Sequence, residues 1–210
     1  TRPEKYCGSR IVIGTVTDPY QPVEQQYRRT RALLEQLRGS GAEVSITTKS
    51  DLVLRDIDIL KELGASVNMS INTLNEEFRR EMDKAPPIAN RFDALERLHA
   101  EGISTHCFIA PIFPGTDVGR IILRAKDICD EIWLDALNLR CGNRSVIMSW
   151  IREKYPRLYP TYCGIYAHGS REYWVSLTRQ IGEFCTKNGI DHICGGKGIR
   201  GAHSGSSQAS

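Results

Sequence analysis

The sequence predicts an α/β protein built on a parallel sheet, and three observations carry that expectation. Short apolar runs rich in β-branched residues start near residues 11, 44, 67, 103 and 131. Between them, leucines and isoleucines recur at helical spacing. Each run then gives way to polar residues, Gly or Pro. Strands alternating with helices imply parallel pairing through right-handed crossovers, with a βα unit of roughly 30 residues. Five such units do not close an eight-stranded barrel. An open, partial barrel and a doubly wound sheet both fit.

The elements follow in order. Residues 1–10 read as a polar lead-in, and Ile11 to Thr17 as the first strand, stopped by Asp18-Pro19. Proline has no N–H to donate and holds the preceding residue extended. A helix is expected over 23–38, with Val23, Tyr27, Thr30, Leu33, Leu34 and Leu37 on one face, closed by Gly39-Ser40-Gly41. The second strand is 43–48; Asp51 is the expected N-cap of a helix over 52–63. The third strand is 66–71, followed by a helical stretch through Arg80, a break at Pro86-Pro87, and a helix over 88–101 with Ile88, Phe92, Leu95 and Leu98 inward. The fourth strand, 103–110, is expected to stop at Pro111. A helix near 117–128 leads to the fifth strand, 131–137. From about 144 a helical wrap is expected: a helix over 144–155, an irregular tyrosine-rich stretch over 157–169 and a helix over 170–188. Residues 190–193 read as a short strand, completing a single domain over 1–194. The Gly/Ser-rich stretch 195–210 reads as a disordered tail.

Composition narrows the function classes. With 40% apolar and 25% charged residues and a net charge of only +3, the chain is globular, and bulk charge does not point to nucleic acid. No run approaches the ~18–20 apolar residues of a membrane span. The seven cysteines, at 7, 107, 129, 141, 163, 185 and 194, are odd in number and scattered, as expected for free thiols in a reducing cytoplasm.

Chemistry is expected where the strands end, because the carboxyl ends of parallel strands lie side by side on one edge. Thr17 and Asp18, Lys49, Ser70 and Asn72, Ala110-Pro111 and Asn138-Leu139-Arg140 fall there. Such a rim gathers a carboxylate, an ammonium, hydroxyls and amides, and suits a zwitterion: Lys49 and Ser70 toward its carboxylate, Asp18 and Thr17 toward its amine.

The stretches Gly14-Thr15-Val16-Thr17-Asp18-Pro19-Tyr20-Gln21-Pro22, Thr48-Lys49-Ser50, Ser70-Ile71-Asn72-Thr73-Leu74 and Ala110-Pro111-Ile112-Phe113-Pro114-Gly115, together with Glu131-Ile132-Trp133 and Asn138-Leu139-Arg140, resemble the radical S-adenosylmethionine superfamily. The likeness narrows to its spore photoproduct lyase-like (DNA-repair-photolyase-like) branch and runs from about 11 to 188. It implies a partial parallel (β/α)6 TIM-type barrel with S-adenosylmethionine (SAM) across the strand ends. Carried over by position, Thr17 and Asp18 meet the methionine amine and Lys49 and Ser70 its carboxylate. The backbone at Ala110 lines the adenine or ribose side, and Asn138 sits near the adenine. It further implies a [4Fe-4S] cluster, reductive cleavage of SAM to a 5′-deoxyadenosyl radical, an electron donor of flavodoxin or ferredoxin type, and a substrate that is open, nucleic acid among the options.

The sequence departs from that family twice. The loop Cys-x3-Cys-x2-Cys that holds the cluster has no counterpart in the cysteine spacings here, and the first strand aligns with the family's second, so the first βα unit is expected to be absent. Residues 14–17 also carry no thiol where spore photoproduct lyase has its hydrogen-donating cysteine, which leaves dimer repair unsupported. Two rival readings are a Schiff-base aldolase-like barrel using Lys49 and a non-catalytic binding module. Cys163, Cys185 and Cys194 match no compact ligand pattern, and the tyrosines at 155, 159, 162 and 166 read as packing before base stacking.

Overall fold

A computed structural model describes residues 3–139, 142–190 and, for the backbone, 193–195. Six strands form one sheet: β1 (Arg10–Ile13), β2 (Glu43–Thr48), β3 (Ser66–Ser70), β4 (Ser104–Ile112), β5 (Glu131–Ala136) and β6 (Ile193–Gly195). Their spatial order is their chain order, and every neighbouring pair is parallel. A doubly wound sheet reverses direction at a switch point. An unbroken order with crossovers of one hand instead keeps all helices on one face and curls the sheet. The fold is therefore a partial TIM-like barrel, and the doubly wound alternative is set aside.

The helices are α1 (Glu24–Tyr27), α2 (Arg29–Gln36), α3 (Ile57–Leu63), α4 (Glu76–Met82), α5 (Ile88–Ala100), α6 (Val118–Ala125), α7 (Arg144–Lys154), α8 (Tyr159–Tyr162) and α9 (Glu172–Lys187). The main core lies between the helices and one face of the sheet. Val44, Ile46, Val67, Met69, Cys107, Ile109, Ile132 and Leu134 face Leu34, Leu60, Leu95, Leu98, Ile121 and Ile122. A second, aromatic core of Phe113, Leu137, Leu139, Ile151 and Tyr162 joins the chain past β4 and β5 to α7 and α8.

Several boundaries differ from the sequence expectation, each for a local reason. β1 stops at Ile13 instead of Thr17, because Gly14 takes φ 95°, a conformation open to glycine, and a β-carbon there would overlap the Thr47 carbonyl. The helix over 23–38 is broken at Arg28, which is left-handed (φ 50°). The Glu24 carboxylate occupies the break and accepts from the amides of Arg29 (2.9 Å) and Thr30 (3.0 Å). The break shifts the apolar phase, so Leu34 and Leu37 are buried while Val23, Tyr27 and Leu33 are exposed. Ser50, not Asp51, caps the next element: its Oγ accepts from the Leu52 amide, and the first turn over 51–56 is 3-10. β4 passes through Pro111 to Ile112, because its register against β5 shifts between Ile109 and Ile112 and a bulge tolerates a residue with no N–H. Within the stretch 157–169, residues 159–167 are helical, α8 running into a π turn over Cys163–Ala167. The expected strand over 190–193 appears as β6; residues 191–192 and the tail from 196 lie outside the described residues. Among the described residues, no helix is long and apolar enough to cross a membrane.

Candidate functional site at the strand ends

The rim begins with the loop between β1 and α1. Turned out of the sheet at Gly14, the chain leaves Thr15, Val16 and Thr17 exposed and returns at Asp18. Thr17 therefore stands beyond the strand, on an exposed bend, and not at a strand end as its sequence position implied. Asp18 closes the loop onto β2. Its Oδ2 accepts from the Lys49 amide (2.7 Å), and its Oδ1 accepts from Thr48 Oγ1 (2.7 Å) and the Tyr20 amide (2.9 Å). A carboxylate has about four acceptor positions. Three are used inside the protein, leaving Oδ2 room for one further donor.

The loop is anchored from behind. Tyr20 is buried, and its hydroxyl donates to Asp56 Oδ2 (3.1 Å). Asp56 is fully buried and also receives Arg31 Nη1 (3.1 Å) and Arg55 Nε and Nη2 (both 2.9 Å). Burial, then the Asp56 charge, pushes the Tyr20 phenol far above its usual range, so it stays protonated and donates to Asp56.

The middle of the rim is carried by β2, β3 and β4. Lys49 extends its ammonium to Asp83 Oδ2 (2.7 Å), just past α4. Asp83 Oδ1 accepts from the Ala85 amide (3.1 Å) and Arg91 Nη2 (3.2 Å). Arg91 is fully buried in α5; its Nη1 reaches the Ser70 carbonyl (3.4 Å) and its Nε the Pro86 carbonyl (3.0 Å). Ser70, itself buried, donates from Oγ to the Ala110 carbonyl (3.0 Å). Lys49, Ser70 and Ala110 are thus linked side by side through Asp83 and Arg91. The Asp83 carboxyl is half-buried, which opposes ionisation, yet Lys49 and then Arg91 outweigh this and hold it below the usual carboxylate range. Asn138 is exposed two residues past β5.

Below the rim, the concave face combines a polar network with aromatic and aliphatic side chains. Asn68 Nδ2 donates to Ser45 Oγ (3.0 Å) and Thr47 Oγ1 (3.1 Å), so its Oδ1 is the acceptor for His106 Nδ1 (2.7 Å). That assignment places the proton on Nδ1. The His106 ring stacks on Trp133 (4.5 Å between centroids), and Trp133 Nε1 donates to Glu131 Oε2 (2.7 Å). Burial pushes the His106 pKa down, against the pull of Glu131. A cavity of about 280 Å³ opens on this face, lined by Val12, Ser45, Thr47, Asn68, Phe108 and Trp133. A hollow of about 340 Å³ lies at the opposite, amino-terminal end of β4, beside His99 and Asp130, away from the rim.

Asp83, Arg91, Asn68 and His106 were not among the sequence candidates. For Asn68 and His106 a signal existed: in Val67-Asn68-Met69-Ser70 and Thr105-His106-Cys107-Phe108, alternate residues are polar or aromatic, marking a second face that is not core. For Asp83 and Arg91 there was none, since both read as ordinary charges near helix ends.

The residues present fit a zwitterion in one respect and a metal cluster in none. Lys49 and Asp18 bring opposite charges to one peptide, and Lys49 is partly exposed. Among the described residues, no group of three or more His, Cys, Asp or Glu could hold a metal ion. Cys107 and Cys129 are buried, and burial raises their thiols, that of Cys129 to about 11, the reverse of a thiolate ligand. Cys185 is buried and Cys163 half-buried, while Cys141 and the Cys194 side chain lie outside the described residues. The tyrosines pack: Tyr162 is buried and Tyr166 donates to the Leu137 carbonyl (2.8 Å).

Comparison with known proteins agrees with this architecture. An uncharacterized protein of Methanocaldococcus jannaschii is 33% identical over 158 residues, 74% of this chain and 60% of that protein. An uncharacterized protein of Mycobacterium tuberculosis is 28% identical over 170 residues, 76% of this chain and 50% of that protein. The chain thus spans 50–60% of the length of these relatives. Among solved structures, Streptococcus suis SuiB superposes with a TM-score of 0.58 at 10% identity, covering 89% of this chain and 39% of SuiB. Its form bound to S-adenosylmethionine gives 0.52. At that identity the likeness speaks for the fold. The family model of the Radical SAM superfamily matches residues 2–124, more than half of the chain, and the chain belongs to that superfamily.

Proposed function

We propose that this chain supplies the rim on which a radical SAM enzyme of the spore photoproduct lyase-like branch holds S-adenosylmethionine. One observation supports this most directly: Lys49, Ser70 and the Ala110 carbonyl, from three adjacent strands, are tied into one hydrogen-bonded group at the strand ends. In this reading Lys49 receives the cofactor carboxylate as a charge-assisted hydrogen bond. The remaining acceptor position of Asp18 receives the amine, joined by Thr17 from its exposed bend. The Ala110 segment and Asn138 border the nucleoside. Bound there, SAM would supply a sulfonium whose C5′–S bond breaks on one-electron reduction to give methionine and a 5′-deoxyadenosyl radical. The described residues do not fit a [4Fe-4S] cluster. The substrate belongs to the concave face, whose 280 Å³ cavity is lined by Val12, Phe108 and Trp133 as well as by Ser45, Thr47 and Asn68. An external donor of flavodoxin or ferredoxin type supplies the electron.

The Schiff-base alternative gains nothing from the geometry. Lys49 is partly exposed and engaged by Asp83, not desolvated in an apolar pocket. Titration calorimetry with S-adenosylmethionine tests the proposal. The wild-type chain is expected to bind, and Lys49→Met to weaken binding by about tenfold, the loss of one charge-assisted contact. A wild-type chain that takes up no S-adenosylmethionine removes the proposal.

A further inference from the structure

The segment between α4 and α5 is held in a way its sequence does not require for folding alone. Residues 83–87 contain two consecutive prolines; the Pro87 carbonyl accepts from the Arg91 amide, while the Ala85 and Pro86 carbonyls accept from side chains. Two arginines serve them. Arg79 Nη1 reaches the Ala85 carbonyl (2.6 Å), and Arg91 Nε reaches the Pro86 carbonyl. Arg79 is in turn held by Glu76 (2.6 Å). Arg91 is fully buried, and a buried guanidinium needs an anion as well as carbonyls. Asp83 is that anion.

Only one oxygen of Asp83 is spent on Arg91 and the Ala85 amide. The other points to Lys49 at 2.7 Å. Both side chains are partly exposed, 29% for Lys49 and 21% for Asp83, so the pair stands at the surface of the rim while its support is buried. Lys49 is a flexible four-carbon stem with three donor hydrogens. One donor on Asp83 fixes its head and leaves two for a ligand. The same Arg91 touches the Ser70 carbonyl, so the placement of Lys49 is referenced to β3 through one rigid group.

Resting on the reading of this rim as the S-adenosylmethionine site, we infer that Asp83, clamped by buried Arg91, is a positioning residue that sets where the Lys49 ammonium meets the cofactor's carboxylate. A ligand pair isolates this role. S-adenosylmethionine and its decarboxylated form differ only in the group Lys49 is expected to receive. A residue that merely supports the fold affects both ligands alike, whereas one that positions Lys49 affects only the carboxylate-bearing one.

The experiment measures binding of both ligands by calorimetry to the wild-type chain, Lys49→Met and Asp83→Asn, with circular dichroism confirming the fold of each. Wild type is expected to prefer S-adenosylmethionine by about tenfold. Lys49→Met is expected to abolish that preference. Asp83→Asn is expected to reduce it to about threefold or less while leaving the decarboxylated ligand within about twofold of wild type. Asp83→Glu, which keeps the charge, is expected to restore most of it. Should the asparagine variant not fold, Asp83→Ser, which keeps an acceptor for the Ala85 amide, carries the same expectation. Equal losses for both ligands in Asp83→Asn, or an undiminished preference, overturn the inference while Lys49→Met still upholds the site. A wild-type chain indifferent to the carboxylate overturns the site reading and the inference with it.

Discussion

Two loops deliver a carboxylate to the end of β2, and they do so in opposite ways. Asp18, in the loop after β1, spends its oxygens on two backbone amides and a threonine hydroxyl. Asp83, in the loop after α4, spends one oxygen on its support and the other on a lysine ammonium. The first arrangement closes a turn, and two of its three partners are main-chain amides. The second holds a mobile cation at the surface. The supports differ as well. Behind Asp18 stands a buried anion, Asp56, with two arginines and a tyrosine; behind Asp83 stands a buried cation, Arg91, fed by carbonyls. In one loop most of the carboxylate's acceptor capacity closes the turn; in the other, one oxygen is given to a partly exposed lysine.

The comparison can be broken most forcefully at Asp56. Replacing it with Ala leaves the buried Tyr20 hydroxyl without its acceptor and removes the buried carboxylate that pairs with Arg31 and Arg55, although Arg31 keeps Asp58 and Glu35 and Arg55 keeps Glu24. Breaking such a pair costs about 3–5 kcal/mol, so urea denaturation is expected to show a loss of that order. Gly14→Ala comes next. It forces a β-carbon against the Thr47 carbonyl at a positive φ and is expected to lower stability by about 2–3 kcal/mol, with Lys49 and Asp83 undisturbed. A loss at Gly14 without change at the Lys49–Asp83 pair, read from the pH response described next, sharpens the contrast.

The smallest effect is acid titration of the second loop. The Asp83 carboxyl is depressed below its ordinary 3.8. A carboxylate more acidic when folded contributes stability that is whole above about pH 4 and is lost as pH falls through the folded value. Wild type is therefore expected to lose stability below about pH 4 more steeply than Asp83→Asn, by under about 1 kcal/mol after allowance for partial exposure. Superimposable acid limbs for the two proteins would show that the pair contributes nothing to the fold.

Much of the fold was legible because it is local. The apolar faces of α5 and the strands follow from spacing, and Ile88, Phe92, Leu95 and Leu98 are all buried as their period requires. The alternation of strand and helix dictated parallel pairing. What misled was backbone conformation at single residues. Val16 and Thr17 look like strand, yet Gly14 had already turned the chain outward, and they lie exposed. Arg28 looks like mid-helix, yet the buried Glu24 carboxylate pays for a break there by capping the following turn. Such choices depend on partners, not on propensity.

By itself, the sequence determined the parallel α/β class, the order of elements and the gathering of Asp18, Lys49, Ser70 and Ala110 on one edge, since strand periodicity and right-handed crossovers leave little choice. Only the tertiary structure decided that the sheet curls as one unswitched barrel segment, that aromatic side chains share its concave face with a polar network, and that Asp83, held by Arg91, pairs with Lys49. Those outcomes turn on contacts between residues tens of positions apart, and a buried charge finds its partner only after the chain has packed.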